Sequence, residues 1–109
     1  MPTGRLGTAD LSATTYTTVY TVPATTFTVA SVSVCNRSAS PVTFRLALTT
    51  TAGPGTPANS EFLEFDVTIL ANGVLERTGI VMEAGMRLVA FASATGTSVI
   101  AMGIETSTA

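Results

Sequence analysis

Three carboxylates, Glu61, Glu64 and Asp66, crowd into the stretch EFLEFDVTIL at residues 61–70. Carboxylates at close quarters can divide into the acid and base of a glycosidase, or ligate calcium. Here Glu64, Asp66 and Thr68 alternate with Leu63, Phe65, Val67 and Ile69, the period of a strand with one wet face. The expectation is a solvated face rather than a site. The chain has no histidine, which removes the commonest general base and metal ligand and deprives a serine or cysteine nucleophile of its usual partner. Zinc would have to be held by one cysteine and carboxylates, a poor donor set. Cys35 is the lone cysteine, so no internal disulfide is possible, and its place in a strand makes it a buried free thiol. Tyr16 and Tyr20 are the only tyrosines. Four apart on one strand, they share a face, and core or interface packing is favoured over a glycan platform. Glu76 with Arg77, and Glu83 near Arg87, read as surface charges or interface pairs. No glycine-rich phosphate loop is present. The residues therefore predict no enzyme, no metal and no cofactor.

The elements that position these groups are strands. The segment FTVASVSVCNRSASPVTFRLALT at 27–49 holds two apolar runs around Asn-Arg-Ser-Ala-Ser-Pro. Val42, Phe44, Leu46 and Leu48 alternate with more polar neighbours, as do Val32 and Val34, and turn formers lie between. This reads as a hairpin at the centre of a sheet. Phe27 and Val29 sit on one phase and Val32 and Val34 on the other, which predicts a bulge near Ala30, or a strand buried on both faces. YTTVYTV at 16–22 is a strand and Pro23-Ala24-Thr25 a turn. TTTAGPGTPANS at 49–60 is the longest loop, expected to be mobile or partner-facing. Asn72-Gly73 is a turn, 74–78 a short strand, 80–84 ambiguous with one helical turn possible, 86–93 a strand, Thr95-Gly96 a turn and 97–105 the last strand. The count is seven to eight strands: an all-β, antiparallel sandwich or jelly-roll-like fold. The expected core includes Val32, Val34, Phe44, Leu46, Phe65, Val67, Leu88 and Ile100.

Residues 1–15 read as an extended arm, with a short strand around Leu6, before a single β-domain at 16–109. Leu6 is the one large apolar anchor between residues 2 and 10, and burying it contributes about 2 kcal/mol. Fixing each backbone costs about 1–2 kcal/mol. Pairing with a neighbouring chain is thus expected to hold the arm, with Arg5 as a charged contact; an arm folded over its own domain is the equal alternative.

Length and composition agree with one domain that folds without staples. Only 11% of the 109 residues are charged, against about 25% in ordinary soluble domains. All five basic residues are arginines, and the net charge is −2. Either serine and threonine cover the surface, or copies and partners do; the two are compatible. No basic stripe exists to neutralise phosphates, which argues against nucleic acid. Residues 1–10 lack the apolar core of a secretory signal, and no run reaches the ~18 apolar residues of a spanning helix. Aromatic girdles of a membrane barrel are missing.

The succession of segments resembles a family of small tailed-bacteriophage virion structural proteins. The pieces that carry the likeness are TTVYTVP at 17–23, VCNR at 34–37, VTFRLAL at 42–48, GIVMEAGMRLV at 79–89 and VIAMGIE at 99–105. Cys-Asn-Arg and Gly-Ile-Glu are the most telling. The resemblance implies a β-sandwich module on a capsid or tail, without catalysis. It leads to the expectation of a capsid decoration (cement) protein, made in the host cytoplasm and seated on the major capsid protein as a homo-oligomer, a trimer being favoured. Arg5, Leu6, Tyr16, Tyr20 and Arg37 are its expected interface residues. Alternatives are a tail, baseplate or fibre component, or a receptor- or glycan-binding module.

Overall fold

The computed structural model describes residues 3–50 and 56–108. Eight strands run β1 Thr3–Leu11, β2 Thr17–Thr21, β3 Thr26–Asn36, β4 Val42–Thr49, β5 Phe62–Ile69, β6 Val74–Met82, β7 Arg87–Ala92 and β8 Thr97–Ser107, with one 3₁₀ turn at Asn59–Glu61. They form two four-stranded antiparallel sheets, β1-β8-β3-β6 (sheet A) and β2-β7-β4-β5 (sheet B). The pairings β1–β8, β2–β7, β3–β6 and β4–β5 are those of one long hairpin folded at the β4–β5 connection. The added ladders β3–β8 and β4–β7 roll that hairpin into a double sheet. This is a jelly roll.

The fold class agrees with the sequence reading, and several of its parts do not. The segment at 27–49 is not a hairpin: β3 and β4 lie in facing sheets, each central in its own. Asn36 makes the crossing possible. It is fully buried, and its amide Nδ2 lies 2.8 Å from the Ser40 carbonyl and 3.2 Å from those of Ile69 and Leu70. Its Oδ1 accepts from the Ser38 backbone N–H and hydroxyl. A satisfied buried amide thus pins the end of sheet A to the end of sheet B.

Residues 3–11 are not an arm waiting for a neighbour. They form an edge strand hydrogen-bonded to β8 of the same chain, and Leu11 is buried in the core. The ladder satisfies backbone groups that a weakly apolar segment could not fix by burial alone. Residues 74–82 are one continuous strand, with no helical turn at 80–84.

The core lies between the sheets. Val32, Val34, Phe44, Leu46 and Leu88 fill it as expected, joined by Leu11, Val22, Met82 and Val99. Phe65 and Ile100 do not: both are exposed. Between the Phe44–Val67 and Leu46–Glu64 pairs β5 spends three residues against two on β4, with Asp66 at φ 53°. This bulge turns Phe65 outward and leaves Val67 half-buried. The bulge expected near Ala30 exists, but the extra residue belongs to β6, where Gly79 adopts φ +70°. β3 keeps one phase throughout, so Phe27 and Val29 face out. Of the loop at 49–60, residues 51–55 lie outside the described residues.

Candidate assembly surfaces

With β3 and β8 each in a single phase, every second side chain of sheet A points to solvent. On β8 the inward set is Thr97, Val99, Ala101 and Glu105, which leaves Ile100, Met102 and Ile104 outside. Phe27 and Val29 on β3 and Val81 on β6 join them. Val29 stands opposite both Ile104 and Val81, so the three form a row across the sheet. Ile104 is 57% and Val81 65% exposed. A contiguous aliphatic face thus lies open beside serine and threonine.

The outer face of sheet B is built differently. Arg45 on β4 lies over the rings of Phe65 and Phe91, at 4.2 and 4.7 Å from their centroids. Its guanidinium grips Asp66 through Nε and Nη2 and donates to the Tyr16 hydroxyl at 2.8 Å. Tyr16 packs on Phe91 and Phe62, and Phe62 meets Phe65 edge-on. The Arg45 guanidinium holds the Asp66 carboxyl below its ordinary range. A shallow cleft of about 430 Å³ opens beside Asn59, Phe62 and Phe65.

The two tyrosines therefore do not share a face. A register shift between Thr18 and Tyr20 in the β2–β7 ladder rotates Tyr20 into the interior. There its hydroxyl donates to the Glu105 carboxylate and accepts from the Thr28 hydroxyl at 2.9 Å. Burial first, and the Glu105 hydrogen bond second, push the Tyr20 hydroxyl up to about 12. Glu105 is itself buried, so the glutamate of Gly-Ile-Glu is a core partner of Tyr20. The glycine of that motif has a steric reason: a β-carbon at Gly103 would stand 2.1 Å from the Val29 carbonyl oxygen.

The five expected interface residues scatter. Arg5 is exposed on the outer side of β1, opposite Met102. Leu6 packs against the core, Tyr16 belongs to the sheet B cluster, Tyr20 is buried, and Arg37 makes an exposed ion pair with Asp10. Cys35 is free but only partly covered, on the outer phase of β3, which corrects the expected buried thiol. The three carboxylates at 61–66 have separate partners. Glu61 accepts from the Ala58 backbone N–H at 2.9 Å and from Thr49, and these hydrogen bonds, Ala58 first, hold its carboxyl below the ordinary range. Glu64 bridges to Arg77 of the other sheet at 2.7 Å, and Asp66 serves Arg45. Among the described residues no three acidic or cysteine side chains gather as a metal site, and no helix is long and apolar enough to cross a membrane.

Sequence reasoning missed the aliphatic face because β8 reads Val-Ile-Ala-Met-Gly-Ile, apolar on both phases. The signal was present in that doubling, together with the phase of Phe27 and Val29. The chain matches no family model, no curated protein and no solved structure.

Proposed function

We propose that the protein is a structural component of a bacteriophage virion, a decoration (cement) protein that seats on the capsid as a homo-oligomer and stabilises the shell. The observation that carries this reading is the uncovered aliphatic face of sheet A on a chain with 11% charged residues. Exposed apolar patches of this kind mark surfaces that are covered in an assembly. Jelly rolls recur in viral coats, which is an analogy of fold and adds weight only beside the face itself. The segment likeness at 17–23, 34–37, 42–48, 79–89 and 99–105 points the same way. The test is gold-labelled antibody against this chain on purified particles from infected cells. Label on the capsid surface is the expected result, label on the tail would move the protein to a tail or baseplate role, and unlabelled particles would refute the reading.

A second reading has one observation in its favour. Jelly rolls also serve as lectins, and the cleft at Asn59, Phe62 and Phe65 offers an exposed ring beside an amide. Binding on a glycan array that Phe65→Ala abolishes would favour a receptor-binding module; an array with no signal would remove it.

A further inference from the structure

We infer that the outer face of sheet A is a two-fold interface between copies of this chain. The inference deepens the homo-oligomer of the reading above and rests on that part of it, not on the virion. Three observations select a second copy as the occupant.

The first is area. Four strands about 4.8 Å apart, each showing about seven residues at about 3.3 Å, present roughly 400 Å² in projection. Two such faces with their side-chain relief remove on the order of 1,000–1,200 Å² from water, at the threshold of a specific contact. Phe27, Val29, Val81, Ile100, Met102 and Ile104 are its central apolar rows, with Val74 beyond them on β6.

The second is charge. Besides Asp10, which is paired with Arg37, two charged groups flank the aliphatic rows on opposite edges of the sheet, Arg5 on β1 and Glu76 on β6. Neither has an ion-pair partner among the described residues. A two-fold axis parallel to the strands lays β1 of one copy over β6 of the other. Arg5 pairs with Met102, which pairs with Ser31; Glu76 pairs with Ser33, one outward step along β3. The axis therefore brings each Arg5 within about one outward step, roughly 7 Å along the strand, of the partner copy's Glu76, within reach of two long side chains, and does so twice.

The third is closure. A two-fold contact uses one patch against itself, whereas a ring needs two different patches per copy. Sheet A supplies one continuous aliphatic face, while on sheet B Arg45 stacks over Phe65 and Phe91, of which Phe65 stays half exposed. A dimer follows, in place of the expected trimer.

The experiment is sedimentation of the full chain from about 1 to about 200 μM, the range in which an interface of this size associates. The parent protein should pass from monomer to dimer. Ile104→Lys and Val81→Lys, at side chains that the core does not use, should each raise the dissociation constant at least about tenfold while leaving the melting temperature of dilute protein unchanged. Arg5→Glu and Glu76→Arg should each weaken the dimer, and the double swap should restore it. A parent that stays monomeric throughout, Lys variants that dimerise as the parent does, or a double swap no better than either single one would overturn the proposal. Capsid labelling separates the two ideas: a monomeric chain that labels capsids leaves the virion reading standing without this interface, and a dimer absent from particles leaves the interface without the virion.

Discussion

The two outer faces of this jelly roll handle exposed apolar surface in opposite ways. On sheet B a single arginine lies across Phe65 and Phe91 and is itself held by Asp66 and Tyr16. Rings, cation and carboxylate are bound to one another within the chain, although Phe65 keeps about half of its surface open. On sheet A the exposed groups are mostly aliphatic, with Phe27 beside them, and none of the cation–π contacts among the described residues lies over them. Aliphatic side chains have no quadrupole to attract a guanidinium, and another apolar surface is what removes most of their area from water. This difference favours sheet A over sheet B as the proposed assembly face.

The largest effect that could break this comparison is at the edge of sheet A. If β1 is part of the sheet, deleting residues 3–11 removes Leu11 from the core and strips β8 of a ladder. The cost should be at least about 5 kcal/mol, lowering the melting temperature by roughly 20 °C or more. A truncated protein that melts with the parent would return these residues to the role of a passive arm. Next is the core shared by both sheets: Phe44→Ala, at a fully buried ring, should cost about 3–5 kcal/mol in urea denaturation. A loss under about 1 kcal/mol would mean that the inward phase of β4 is wrong.

The segments most telling in sequence owe their residues to this interior rather than to a surface. Asn36 joins the sheets, Gly103 lets β3 and β8 approach, and Glu105 meets Tyr20. Residue types and alternation made the strands, most turns and the residues Val32, Val34, Phe44, Leu46 and Leu88 of the core readable. Pairing was not readable, because β1 finds β8 across almost the whole chain and nothing local to either records the other. Nor was the bulge at Asp66, and the irregularity read near Ala30 was placed on the wrong strand, since Gly79 of β6 carries it; each shifts a phase by one residue and so exchanges inside for outside. Of the candidate interface, Arg5 was legible as a charge on a weakly apolar segment. The aliphatic face was hidden in strands that are apolar on both sides.

A smaller effect separates interior from surface. Tyr20→Phe leaves the Glu105 carboxylate buried without its donor and should cost about 1–3 kcal/mol. The pH dependence has a defined sign. Tyr20 titrates near 10 when unfolded and about 12 when folded, so the unfolded state releases its proton first. Its contribution is complete below about pH 10 and is lost as pH rises from there to about 12. In Tyr20→Phe that alkaline limb should flatten; an unchanged limb would mean that Tyr20 is not its source.

The smallest stability change sharpens the comparison most. Arg45→Ala removes the cover from Phe65 and Phe91, and should fall well short of Phe44→Ala in stability while creating self-association that Phe65→Ala reverses. Asp66 then returns to its ordinary carboxylate range. Its contribution, present above the unfolded carboxylate value and lost as pH falls through the folded one, should vanish from the acid limb of a pH–stability curve. If Arg45→Ala proves no stickier than the parent, covering by arginine is not what distinguishes the faces.

The most direct measurement is hydroxyl-radical footprinting of the full chain across a dilution series, read at individual side chains. Concentration should protect Phe27, Met102 and Ile104 of sheet A while Phe65 and Phe91 of sheet B react at a constant rate. Protection of Phe65 and Phe91, with Met102 and Ile104 unchanged, would contradict the assignment of assembly to sheet A.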